Sequence, residues 1–332
     1  MNFKKPLFWH QGLFLQPQHF QYQSLYQQQE QYHWFNVQNG FAWGAVSLQF
    51  DQQALSRGNV ELTQFDVLFE DGALISFPDN VQIGARNFDN HWLDRAKPLV
   101  VYLALPKMSN SQSNVTQVAG YDNDQPINTR FVSLVEGEEI TDLHQGGQGV
   151  AVKSMKFAAR LIFESELEEF GNYVVQPLAK LTANDDDITF AKDFIPASIT
   201  IKASTVLMDT LKDIRDELIG RAKQLENYKS TTTSRTAEFN PVAERYRNAL
   251  RVIARYAPVL NHFLEDQNSK PFDVFGQLRA LVGELTTFSE GYSILGESTD
   301  GQLSALKYNH RDLFGCFDSC KSLIITLLDK LT

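Results

Sequence analysis

The chain has 332 residues, 43% of them hydrophobic and 21% charged, with 30 Lys and Arg against 40 Asp and Glu. At about 150 residues per domain this is material for two domains with filled cores, which excludes bulk disorder. A net charge of −10 offers no basic field to neutralise phosphates, so nucleic acid and anionic membrane are not expected partners.

The first 31 residues hold nine Gln, interleaved with Phe8, Trp9, Leu13, Phe14, Leu15, Phe20, Tyr22, Leu25 and Tyr26. Gln is neither a strong core residue nor a charged solubiliser. Mixed with aromatics it suits a surface that packs and hydrogen-bonds against another protein. A helix packed on its own domain is an equal reading. His10, Gln11 and Gln16 interrupt any signal-like apolar segment behind Lys4 and Lys5. With no run near the ~20 residues of a membrane span, the expectation is a cytoplasmic protein without direct membrane insertion.

Strand periodicity follows. Val46, Leu48 and Phe50 alternate with polar residues, as do Val60 and Leu62, then Phe65, Val67 and Phe69. The slip at Thr63 and Gln64 predicts a bulge. Asp71-Gly72 ahead of Leu74, Ile75 and Phe77 predicts a hairpin. The apolar run over residues 99–105, ended by Pro106, reads as a strand buried on both faces. Further strands are expected near 115–121, 129–135, 149–163 and 173–182. Short strands separated by Gly, Asn and Asp predict a β-sandwich or barrel over residues 1–195.

After Pro196 the period becomes helical and the charge balance changes. Residues 1–195 hold 13 basic and 23 acidic residues, whereas residues 196–332 hold 17 of each. Leu207, Leu211, Ile214, Leu218, Ala222 and Leu225 step by three or four. So do Val242, Tyr246, Ala249, Ile253, Ala257, Leu260 and Leu264, a stretch that Pro258 should kink near Ala254. Pro271 suits a first helical position ahead of Phe275, Leu278, Val282, Leu285 and Phe288. Asn309 is the expected N-cap of a last helix with Leu313, Phe317, Cys320, Ile324, Leu327 and Leu331 on one stripe. Loops are expected at residues 230–236 and 296–301. The class is therefore α+β, a sandwich followed by an up-down four-helix bundle over residues 196–332. Phe314, Leu323, Ile325 and Leu328 widen the last stripe, and Val206, Met208 and Ile219 lie off the first. Such apolar excess predicts burial against another copy, with Leu207, Leu211, Ile214, Leu218, Phe317, Ile324 and Leu327 as the expected oligomer interface.

Chemical constellations are weak. The seven His show no metalloprotease spacing, and His262-Phe263-Leu264-Glu265 is a single, reversed di-iron motif. Cys316 and Cys320 are too few for a zinc site, and Cys320 lies on the seam as a small hydrophobe. Gly146-Gly147-Gln148-Gly149 reads as a loop before a strand, and Asp185-Asp186-Asp187 as a solvated turn without calcium-loop spacing. No enzyme activity and no cofactor are expected.

The stretch Trp9-His10-Gln11-Gly12-Leu13-Phe14-Leu15-Gln16-Pro17-Gln18-His19-Phe20-Gln21 resembles the opening signature of the TssK family, the baseplate subunit of bacterial type VI secretion systems. Residues 271–288 are similar to that family's third bundle helix, and Tyr308-Asn309-His310-Arg311-Asp312-Leu313 to its lead into the fourth. The resemblance implies a β-sandwich shoulder akin to that of phage receptor-binding proteins, a helical neck and a C-terminal head. It implies a homotrimer whose shoulder binds a wedge of TssF and TssG and whose head contacts the membrane complex. The chain ends at Thr332, where the neck would end, so the membrane-complex contact is not expected of it. Trp9, Phe14, Leu15, Pro17, His19, Phe20 and Tyr22 are the candidate partner-binding residues. His19 reads equally as a cap of the turn after Pro17. A phage-like adhesin recognising a surface ligand is the alternative function.

Overall fold

A computed structural model describes residues 5–121, 127–184, 187–226 and 240–331. The expected loop at residues 230–236, and Asp185 and Asp186 of the acidic turn, lie outside them. The chain forms two compact units, Met1–Ala191 and Lys192–Thr332.

The first unit opens with helix α1 (Pro17–Gln38). A short helix α2 (Gln52–Ser56) starts where the Asp51 carboxylate accepts the Gln53 N–H at 2.8 Å. The strands Gly44–Phe50, Leu62–Leu68 and Leu74–Phe77 pair antiparallel in chain order. Gln49 pairs with Gln64 and Phe50 with Leu62, so Thr63 is the extra residue of the expected bulge. The hairpin at Asp71-Gly72 forms with a wider connection than two residues. Phe69 N–H donates to the Ala73 carbonyl, the Asp71 carboxylate accepts Ala73 N–H, and Gly72 takes φ +88°. An antiparallel sheet runs in the order Arg160–Phe163, Leu99–Pro106, Tyr173–Asn184, Asp187–Phe190. In its second strand Leu103, Ala104, Leu105 and Pro106 are all buried, so that end is covered on both faces. A mixed sheet joins Val81–Gln82, Lys156–Ala158, Phe131–Leu134 and Val115–Val118. Two ribbons stand apart, Asn59–Val60 with Arg86–Asn87 and Glu138–Ile140 with Val150–Val152. The expected strand over 149–163 is thus three short ones in three sheets.

Each helical stretch of the second unit is a helix: α3 (Thr205–Leu225), α4 (Pro241–Glu265), α5 (Pro271–Thr286) and α6 (Leu313–Asp329). Helix α3 packs on α4 and α6, and α5 packs on the same two. Ser204 caps α3 by accepting Leu207 N–H, and Asn240 caps α4 by accepting Val242 and Ala243 N–H. Helix α4 continues through Pro258; Ala254 and Pro258 are exposed, so the carbonyl deprived of its donor lies on the solvent side. Two expectations need correction. The cap of α6 is Asp312, which accepts Gly315 N–H at 2.9 Å; Asn309 lies a turn earlier and accepts Arg311 N–H. The expected oligomer interface is the unit's own core. Leu207, Leu211, Ile214, Leu218, Phe317, Ile324 and Leu327 are at most 1% exposed, inside one cluster fed by all four helices. The wide stripe of α6 is absorbed the same way: Leu323 and Leu328 are buried, and Phe314 packs against the cluster. A helix that touches two neighbours needs a broader apolar face than a two-helix seam.

Candidate partner interface

The opening segment is shaped by its own turn chemistry. Gly12 takes φ +83°, and Leu13 N–H donates to the His10 carbonyl at 3.2 Å. The chain thereby turns before Gln16, the N-cap of α1. Pro17, at the first helical position, has the φ of a helix and no donor to leave unpaired. His19 Nδ1 accepts the Gln16 N–H at 3.1 Å, closing the first turn. Tyr22 donates from its hydroxyl to the Lys5 carbonyl at 2.9 Å, which ties the leading segment to the helix.

None of the 22 residues of α1 is buried. A stripe at helical spacing, Tyr22, Leu25, Tyr26, Gln29, Tyr32 and Asn36, is half-buried. Leu25, Gln28, Gln29 and Tyr32 line a cleft of about 340 Å³ whose other wall includes Asp71, Arg130, Phe131 and Phe157. Arg130, 5% exposed, pairs with Asp71 at 2.8 Å, donates to the Pro106 carbonyl at 2.9 Å and lies over the Phe157 ring. Burial pushes the Tyr32 phenol above its ordinary range.

The remaining surface is apolar and open. Phe8 and Phe14 are 80% exposed, and Trp9, Leu15 and Phe20 are exposed as well. Pro17 is exposed, while His19 and Tyr22 are partly covered by the contacts just given. The structure brings the seven candidate residues onto one continuous stretch and gives His19 a capping role. The helix continues the pattern beyond them: Trp34 is 62% exposed, and Phe35 and Val37 are exposed. These three were legible, because Trp34-Phe35 prolongs the aromatic and Gln alternation. Residues 5–38 hold one cation, Lys5, and one carboxylate, Glu30. Depletion of charge with enrichment of aromatics marks the centre of protein interfaces. Among the described residues no group of three or more His, Cys, Asp or Glu is placed to hold a metal ion. Nor is any helix long and apolar enough to cross a membrane.

Comparison with known proteins places the chain in a family. The family model T6SS_VasE, described as bacterial type VI secretion, VC_A0110, EvfL, ImpJ, VasE, matches residues 19–332. The type VI secretion system baseplate component TssK1 of Pseudomonas aeruginosa is 23% identical over 330 residues, covering 96% of this chain and 67% of that protein. A crystal structure of TssK superposes with a TM-score of 0.80 at 21% identity, over 98% of this chain and 69% of that one. A TssK chain in the TssK-TssF-TssG baseplate subcomplex, solved by cryo-electron microscopy, gives 0.77 at 22% identity, over 98% and 99%. The chain therefore belongs to the bacterial type VI secretion T6SS_VasE family, the TssK family that its opening signature resembles.

Proposed function

We propose that this protein is a cytoplasmic structural adaptor of a type VI secretion baseplate. In this reading the first unit is a sandwich-type shoulder and the second a four-helix-bundle neck. The shoulder binds a TssF–TssG wedge through Trp9, Phe14, Leu15, Pro17, His19, Phe20 and Tyr22, and the protein works as a homotrimer. Contact with the membrane complex belongs to a head beyond these residues. The observation that carries the reading is α1 and its leader: 22 helical residues with none buried, preceded by exposed Phe8, Trp9, Phe14 and Leu15 and carrying exposed Phe20, Trp34, Phe35 and Val37. Leaving such a surface in water is unfavourable, and aromatic anchors dominate interface energetics. The relative solved with TssF and TssG supports the choice of partner. Since the seams of α3 and α6 are filled from within, copies meet through other surfaces in this reading.

The test is co-purification with TssF–TssG. Removing residues 8–22 should abolish it while the oligomer's mass, per copy, stays that of the shortened chain. Trp9→Ala, Phe14→Ala and Phe20→Ala should each weaken it about tenfold or more. Wedge binding unchanged in all four variants would overturn the reading.

A further inference from the structure

The ribbon Glu138–Ile140 with Val150–Val152 belongs to no larger sheet, and all six of its residues are exposed. A lone two-stranded ribbon is marginal in water, and both outer edges present unpaired backbone groups. Ile140 pairs with Val150 and Glu138 with Val152. Directly opposed residues share a face, so Ile140, Val150 and Val152 lie on one face together with Glu138. They are 41%, 67% and 43% exposed. On the opposite face Glu139 lies against Gly149 so closely that a Cβ there would meet its side chain. Base contacts hold the ribbon: Ser133 Oγ donates to the Ser154 carbonyl at 2.7 Å.

The two edges carry opposite charge. The first strand and its flanks present Glu136, Glu138, Glu139 and Asp142 with no Lys or Arg from residue 131 to 149. The second presents Lys153 and Lys156 with no carboxylate from residue 143 to 163. Glu136, Glu138, Glu139 and Lys153 have no ion-pair partner among the described residues. Lys156 faces the Tyr121 ring at 5.1 Å, which leaves Lys153 as the free cation of its edge.

We infer that the ribbon is a copy-to-copy contact: the acidic edge of one chain adds to the basic edge of the next by strand addition. This inference rests on the proposed homo-oligomer. An isologous contact would set acid against acid, whereas head-to-tail addition satisfies every edge when the ring closes. The occupant is therefore a second copy of this chain, selected by charge complementarity.

The experiment uses the full chain. Light scattering first gives its mass; a single copy of 37.7 kDa overturns both the oligomer and this contact. Equal amounts of chains labelled with nitrogen-14 and nitrogen-15 are then co-refolded and treated with a carbodiimide, which joins Lys to carboxylate without a spacer. Isotopically mixed links from Lys153 to Glu136, Glu138 or Glu139 are expected. Charge reversal supplies the second arm. Lys153→Glu alone, or Glu138→Lys with Glu139→Lys, should raise the oligomer's dissociation midpoint about tenfold or more. The variant with both edges reversed should restore it. An oligomer of unchanged mass with no mixed links and no response to single-edge reversal overturns the contact while leaving the oligomer in place. Mixed links that disappear on adding TssF–TssG would likewise assign the edge to the wedge and overturn it.

Discussion

The hydroxyl of Tyr32 donates to the Glu70 carbonyl at 2.9 Å, and its ring covers Gly72 in the turn that Glu70 leads into. A Cβ on Gly72 would stand 2.9 Å from two carbons of that ring. The hairpin turn and α1 are thus joined at a point where only glycine fits, both for the φ of +88° and for the space.

Gly72→Ala should therefore loosen α1. Strain at a positive φ costs about 1–3 kcal/mol, and the clash adds to it unless Tyr32 moves. Amide hydrogen exchange across residues 22–36 should speed up severalfold, with the sheet around the strand Leu62–Leu68 little changed. Tyr32→Phe removes only the hydrogen bond and should cost about 1 kcal/mol. Equal exchange in both variants would mean that the ring, not the turn, sets the seat.

His19 separates a structural role from a binding one. Its imidazole accepts Gln16 N–H, an otherwise unpaired donor at the helix start. His19→Ala should lose about 0.5–2 kcal/mol of local helix stability, seen as faster exchange over residues 17–22. His19→Gln should recover part of it, since Gln closes the same turn. If His19→Ala leaves exchange unchanged but weakens TssF–TssG binding, the imidazole is a contact and not a cap.

The core assignment of the second unit is equally testable. Leu218 and Phe317 are fully buried among α3, α4, α5 and α6. Leu218→Ala and Phe317→Ala should each lower unfolding free energy by about 3–5 kcal/mol, measured by urea titration. The mass of the folded protein should not change. A smaller oligomer of undiminished stability would return these residues to an interface.

Periodicity made the four helices of the second unit legible, because Leu207 to Leu225 and their counterparts repeat at three and four residues. The Thr63 bulge was legible because it shifts the alternation by one. The destination of the apolar excess was not. Leu323 and Leu328 read the same whether a wide face meets two intrachain neighbours or a second chain; here both are buried within the unit. Asn309 and Asp312 both precede the last apolar run with a side chain able to cap, and only backbone geometry separates them. The strand Glu138–Ile140 gave no signal, since two Glu and one Ile carry neither alternation nor β-branched enrichment. Arg130 and Asp71 are 59 positions apart, so their pairing depends on tertiary structure.

Buried acids of the second unit set its response to alkali. Burial pushes the Cys320 thiol up to about 12, raises Cys316, and raises the Tyr308 phenol well beyond its ordinary value. In the unfolded chain a thiol ionises near 8.5 and a phenol near 10. Between those values and the folded ones the native state holds protons that the unfolded state has released. The contribution of these three groups to stability is therefore level below about pH 8.5 and falls as pH rises above it. For Cys320 alone the loss is about 2 kcal/mol by pH 10, at about 1.4 kcal/mol per pH unit. Urea midpoints at pH 7.5, 9 and 10 should show this fall, and Cys320→Ala should flatten it while lowering the pH 7.5 value through the small cavity it leaves. A slope unchanged by Cys320→Ala would mean that the thiol ionises in the folded state as readily as in the unfolded one, and that the core around α6 admits water.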